Sequence, residues 1–234
     1  MNSFHLFTLF PNLFEGFMKE GLLSQAQKNG QIEINLVNYR EFGLGKHRKV
    51  DDTPYGGGAG MLLRPEPIFG ALEDTEKKIG SKLYKILLCP QGEPFSQKLA
   101  WELSKKTEPL AFITGRYEGF DERIREEVDL EISLGDFVMM GGDVAAMAII
   151  EAVGRLVPGV IGNWDSLIEE SFSGALLEHP QYTKPLEFQG KHVPEVLTSG
   201  HHGKIKEWRL SKSIERTKQR RPELYKKYLG ESKE

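Results

Sequence analysis

The sequence predicts an α/β chain built on a parallel sheet, followed by a small, mainly helical C-terminal domain. Three observations carry that expectation. The runs "FHLFTLF" (4–10), "YKILLCP" (84–90) and "LAFITG" (110–115) are apolar and of strand length, as strands covered on both faces are. Segments of helical period separate them. After about residue 160 the chain turns polar and then basic, which predicts a domain boundary.

The elements follow in order. "FHLFTLF" is a buried strand that stops at Pro11. In "NLFEGFMKEGLLSQAQKNG", Leu13, Phe14, Phe17, Met18 and Leu22 recur at helical spacing and Gly30 supplies a stop, so one helix is expected. "IEINLVNY" (32–39) alternates and is rich in branched residues, as a strand does. Residues 43–61 have no apolar period and read as a loop that orders when substrate binds. A helix in "PEPIFGALEDTEKKIG", the strand 84–90, a helix in "SQKLAWELSKK" and the strand 110–115 come next. "DERIREEV" is a short helix and "LEISLGDF" (130–137) a strand. In "DVAAMAIIEAVGRLVPG", Ala146, Ile149, Ile150, Val153 and Leu156 share one helical face, and Pro158-Gly159 ends it. Residues 1–160 thus read as one domain, 161–175 as a linker and 176–234 as the second domain. The latter holds a long helix over about 202–219 and a short one from Pro222, a residue suited to a first helical turn.

Composition excludes several classes. No run of about 18 apolar residues is present, so no membrane-spanning helix is expected. The apolar N-terminus lacks a basic lead and a small-residue cleavage site, so it reads as strand and helix and not as a leader. Cys89 is the one cysteine, which rules out an intrachain disulfide and fits a cytoplasmic location. The net charge of -3 hides an asymmetry: residues 191–234 carry 12 Lys and Arg against 6 Asp and Glu. A basic tail on an acidic body predicts a polyanionic partner, with a solvated basic helix as the alternative.

Three glycine-rich stretches qualify as ligand-binding turns. "YGGGAGM" (55–61) follows no strand and lacks the Gly-Lys-Ser/Thr of a P-loop, so by itself it reads as a flexible loop. "FITGRYEGFDER" (112–123) and "SLGDFVMMGGDVAAM" (133–147) each run from a strand into glycines. With "LLCPQG" they make three strand-end turns that can converge on one pocket, the usual ligand position in open α/β sheets. The dinucleotide fingerprint is absent, as are structural-zinc spacings and a Gly-x-Ser-x-Gly elbow.

The ordered set "KHRKVDDTPYGGGAGM", "CPQGEPF", "ITGRYEGFDERI", "SLGDFVMMGGDVAAMAIIEAVGRLVPGVIGN" and "EESFSGALLEHPQYTKP", with the tail "WRLSKSIERTKQRRPEL", resembles the bacterial tRNA (guanine-N1)-methyltransferases over nearly the whole chain. That resemblance implies a SPOUT-class catalytic domain with a deep trefoil knot and a homodimer with active sites at the subunit interface. It implies S-adenosyl-L-methionine as methyl donor and, as acceptor, N1 of the guanosine immediately 3′ of the tRNA anticodon, a modification that supports reading-frame maintenance. It also admits Mg2+, for which the sequence offers no dedicated site.

Matched motif by motif, the resemblance assigns donor binding to Leu88, Cys89, Pro90, Gly115, Tyr117, Glu118, Gly119, Leu134, Gly135, Asp136, Phe137, Val138, Met139, Gly141 and Gly142. The chain departs from the family at Met140, where Ser is common, and at Ala145, where Pro is common. The resemblance also assigns contact with the target base to Ser171. Lys204, Lys206, Arg209, Lys212, Arg216, Arg220 and Arg221 are candidates to grip tRNA phosphates, which give salt-dependent affinity and orientation.

Guanine N1 holds a proton at neutral pH, so a general base is useful, worth about 10²–10⁴-fold in rate. The charge that develops on O6 calls for a cationic donor. The resemblance gives these roles to Glu170 and Arg155. Where the family has Asp in "E-D-S-F", this chain has Glu170, and one more methylene moves the carboxylate by roughly 1.5 Å, comparable with a misplacement that costs about 10²-fold. Asp165 is the alternative base. Competing readings are a ribose methyltransferase of the same class and a non-catalytic RNA-binding protein.

Overall fold

The structure is a computed structural model that describes residues 2–167 and 170–231, with the backbone alone for Asp165, Ser166 and Glu231. It divides into two compact units, Met1–Gly162 and Asn163–Glu234.

The first unit opens with β1 (Asn2–Thr8), a 3-10 turn at Pro11–Phe14, α1 (Glu15–Lys19) and α2 (Gly21–Lys28). The single helix expected here is therefore broken. Glu20 is extended, at φ −114° and ψ 158°, and Gly21 takes φ +64°, a left-handed value that glycine adopts at little cost. After β2 (Ile32–Asn38) the loop 43–61 is held at both ends: Leu44 bridges Lys49, and β3 (Asp51–Asp52) pairs antiparallel with β4 (Leu62–Leu63). Then come α3 (Pro65–Ile79), β5 (Tyr84–Pro94), α4 (Gln97–Ser104), β6 (Leu110–Thr114), α5 (Glu122–Arg125), β7 (Leu130–Ser133) and α6 (Asp143–Gly154).

Five strands form a parallel sheet in the order β2-β1-β6-β5-β7. Every residue of β6 is buried, as a central parallel strand requires. Tyr39, Ile68, Leu72, Leu87 and Ile113 belong to the apolar cluster on the sheet. The strand β7 ends at Ser133, four residues short of the expected strand 130–137. Gly135 turns the chain at φ +153°, and the Ser133 hydroxyl closes the turn, accepting from Gly135 N at 3.2 Å.

The second unit starts with a 3-10 turn, Trp164–Leu167, and continues through a two-stranded hairpin, β8 (Glu187–Phe188) with β9 (Lys191–His192). It ends in α7 (Glu195–Thr198), α8 (His202–Arg220) and α9 (Pro222–Glu231). The hairpin turn uses Gln189 at φ +54° and Gly190 at φ +73°.

Candidate active site

The sheet's carboxyl edge carries a cavity of about 310 Å³. Its walls are the three strand-end segments: 88–91 of β5, the loop 115–120 after β6, and residues 132–134 and 137–142 at and after the end of β7. Of the predicted donor-binding residues, all line this cavity except Gly135 and Asp136. Those two form the tight turn itself, in which Asp136 is exposed.

Backbone approach explains the glycines. Gly142 N donates to Gly115 O at 3.0 Å, which joins two of the walls. A Cβ on Gly142 would lie 3.2 Å from both Gly115 N and Thr114 Cα. One on Gly141 would lie 2.5 Å from Arg116 Nε. Tyr117 sits in the left-handed region at φ +59°, a conformation that costs a non-glycine residue about 1–2 kcal/mol. The loop is held there by its neighbours: Glu118 N donates to Met61 O at 3.0 Å and Leu63 N to Gly119 O at 2.8 Å. The glycine-rich loop 55–61 does not line the cavity but packs behind this wall, where a Cβ on Gly60 would collide with the Glu118 side chain.

A buried polar network lies behind these walls. Asp143, at the start of α6, is 1% exposed. Its Oδ1 accepts from Thr8 Oγ1 at 2.6 Å and Thr114 Oγ1 at 2.8 Å. Its Oδ2 accepts from Arg116 Nε at 2.9 Å and Nη2 at 2.5 Å. Arg116 also reaches Met140 O at 3.4 Å and lies 4.6 Å from the centre of the Phe10 ring. The ends of β1 and β6, both glycine loops and α6 are thus tied to one carboxylate. Tyr39 donates to Thr114 O at 3.0 Å, and burial pushes its phenol well above the usual range, so it stays a donor. Sequence reasoning missed this network, because an arginine and an aspartate 27 positions apart share no period.

Cys89 lies on the cavity wall. Its thiol donates to Glu131 Oε2 at 3.0 Å and accepts from Arg125 Nη1 at 3.3 Å, and Arg125 also pairs with Glu131. Burial, then the neighbouring Glu131 carboxylate, push the thiol pKa up.

The remaining predicted residues fall elsewhere. Arg155 caps α6 at its carboxyl end. Glu170 and Ser171 begin the described part of a loop in the second unit; Glu169 and the Asp165 carboxylate lie outside the described residues. Lys204, Lys206, Arg209, Lys212, Arg216 and Arg220 are on α8, with Arg221 at its C-cap. Lys204, Lys206, Arg209 and Arg220 are exposed. Lys212 pairs with Glu215 at 2.7 Å, Arg216 donates to Glu178 O at 2.9 Å, and Arg221 pairs with Glu223 and lies over the Phe172 ring.

A parallel α/β sheet with a cavity of glycine-bearing loops at its carboxyl edge is the arrangement in which proteins of this class hold a small organic ligand. Comparison with known proteins narrows the class. The model of the tRNA (guanine-1)-methyltransferase TrmD family matches residues 2–227, so the chain belongs to that family. A tRNA (guanine-N(1)-)-methyltransferase of Shouchella clausii is 52% identical over 227 residues, 97% of this chain and 93% of that protein. One from Bacillus subtilis is 54% identical over 220 residues, 94% and 90% of the two chains. The crystal structure of the tRNA (m1G37) methyltransferase from Aquifex aeolicus superposes with a TM-score of 0.77 at 41% identity, covering 94% of this chain and 93% of that one.

Proposed function

We propose that this methyltransferase moves a methyl group from S-adenosyl-L-methionine to N1 of the guanosine immediately 3′ of the anticodon in tRNA, supporting reading-frame maintenance. The observation that carries the reading is the convergence of three strand ends, two of them glycine-bearing, on one cavity, in a chain of this family. The cavity fits the donor: its volume lies at the small-ligand end of the usual range, and its wall combines apolar Leu88, Ile132 and Leu134 with close backbone at Gly115, Gly119 and Gly142.

When bound, the donor supplies an electrophilic methyl group on a sulfonium. Leu88–Pro90, Gly115–Gly119 and the 134–142 segment hold it and exclude water on the sheet side. Glu170 accepts the proton from guanine N1, which turns that nitrogen into a nucleophile. Arg155 donates to O6 as negative charge gathers there. Ser171 lies beside the target base, and Lys204, Lys206, Arg209 and Arg220 meet tRNA phosphates.

In this reading residues 1–160 are the catalytic domain with a SPOUT-type trefoil knot, 161–175 the linker and 176–234 the tRNA-binding domain. The active sites stand at the interface of a homodimer. Supporting that, Val138 and Met140 on the cavity rim are 84% and 92% exposed, and Val144 is exposed beside them, an apolar rim that a second copy would cover. The protein works in the cytoplasm. The same reading admits Mg2+; among the described residues no three His, Cys, Asp or Glu side chains gather to hold a metal ion.

Calorimetric titration of the donor into the protein tests the cavity. Binding that Gly142→Ala weakens supports it; donor binding unchanged by that substitution contradicts it.

A further inference from the structure

The basic side chains of α8 do not all face outward. Arg216 is half-buried, and its guanidinium donates to Glu178 O at 2.9 Å. One residue on, Thr217 is fully buried; its hydroxyl accepts from Leu177 N at 2.8 Å and donates to Ser213 O at 2.7 Å. Two adjacent α8 residues thus hold backbone groups of two adjacent residues, Leu177 N and Glu178 O. That segment closes a small loop: Glu178 N donates to Ser171 Oγ at 3.0 Å. Glu170, the residue before that loop, is tied to it: Ser173 N and Ser173 Oγ both donate to Glu170 O, at 3.2 Å and 2.6 Å. Phe172 takes φ +72°, and Arg221 stands 5.6 Å from the centre of its ring. Ala175 is buried inside the loop.

We infer that Arg216 and Thr217 are positioning residues for the Glu170 loop, and that the Arg216 guanidinium is spent on the Glu178 carbonyl instead of on a tRNA phosphate. The inference rests on the reading of Glu170 as the base. The loop is eight residues from Ser171 to Glu178, and its carboxyl end is pinned to α8 by two hydrogen bonds. A left-handed, non-glycine Phe172 adjacent to Ser171 persists only where surrounding contacts hold it. Losing a pin lets the loop drift, and a misplacement of about 1 Å at a catalytic group costs about 10²-fold in rate. Phosphate-gripping residues behave differently: each contact contributes about 0.7–0.9 to the slope of log affinity against log salt, through counterion release.

The test measures single-turnover methylation at saturating tRNA and donor, with KM for tRNA at several salt concentrations, on Arg216→Gln, Thr217→Val and Thr217→Ser. Lys206→Ala is the phosphate-contact reference, and thermal melting checks folding. The inference predicts that Arg216→Gln and Thr217→Val lower the turnover rate by about ten- to a hundredfold, with tRNA KM and salt slope unchanged. Thr217→Ser, which keeps the hydroxyl, recovers the rate. The inference is overturned if Arg216→Gln raises KM and flattens the salt slope with turnover intact, or if a folded Thr217→Val keeps wild-type turnover. Should Thr217→Val not fold, Arg216→Gln decides alone. Glu170→Gln separates the two levels: if it keeps wild-type turnover, the base assignment fails whatever Arg216 does. If it loses turnover while Arg216→Gln and Thr217→Val do not, the positioning role alone fails.

Discussion

Asp143→Asn probes the network behind the donor cavity. The aspartate receives four donors: the Thr8 and Thr114 hydroxyls on Oδ1, and two Arg116 nitrogens on Oδ2. Asparagine has the same shape but a single acceptor oxygen. If its amide nitrogen faces Arg116, three nitrogens with protons meet. If it faces the threonines, Thr114 can turn its proton fully to Phe7 O, 3.0 Å away, so this orientation is the cheaper. Arg116 keeps an acceptor but loses its counter-charge. Removing one partner of a buried pair costs about 3–5 kcal/mol. The Arg116 side chain is 22% exposed, so water recovers a part, and about 2–3 kcal/mol remains by that scale. Urea denaturation of wild type, Asp143→Asn, Arg116→Met and the double variant measures it. The double variant should lose less than the two single losses added, because the pair acts as one. Calorimetric donor binding should weaken in parallel, since Arg116 also holds Met140 O. A loss under about 0.5 kcal/mol for Asp143→Asn, or additive losses in the double variant, would refute the reasoning.

Glu170→Gln should lower the rate at saturating substrates by about 10²–10⁴-fold while leaving donor affinity intact, as rapid-quench kinetics and calorimetry will read. Gly142→Ala places a methyl 3.2 Å from Gly115 N, so donor affinity should fall, and more than at Gly162, whose Cβ would meet nothing within 4 Å. Burial lowers the pKa of His5 below its ordinary 6.5, with Glu33 opposing. The unfolded chain then binds the proton first, so stability present above pH 6.5 is lost as pH falls towards the lower folded value. A series of urea curves should show this slope in wild type and a flatter one in His5→Gln. The raised pKa of Cys89 predicts slow iodoacetamide labelling at pH 8, slower still with donor bound, as mass spectrometry of the labelled protein would show.

The strands and the long helices were legible because each rests on a local pattern. The helix expected over about 202–219 is α8, His202–Arg220, and the short one from Pro222 is α9. The run 84–90 lies within β5, which continues to Pro94 through an irregular register in which Leu88 and Glu93 both face Ile132. No period announces that extension, because its partners come from β7 more than thirty positions on. The break at Glu20–Gly21 was hidden by an apolar spacing that runs unbroken across it. At the site, the glycine turns after β6 and β7 were legible, since a strand running into glycine is a local signal. The Asp143 network and the Arg216 and Thr217 hold on residues 177–178 were not. Both join side chains to partners far along the chain, and basic residues on a helix look alike in sequence whether they face solvent or a carbonyl.

Methylation of an unmodified tRNA transcript with a guanosine immediately 3′ of its anticodon, followed by nuclease digestion and mass mapping, tests the central claim most directly. The account predicts one methyl group from S-adenosyl-L-methionine on N1 of that guanosine, and none when the position is changed to adenosine. A transcript left unmethylated, or a methyl group found on a ribose 2′-hydroxyl, would contradict it.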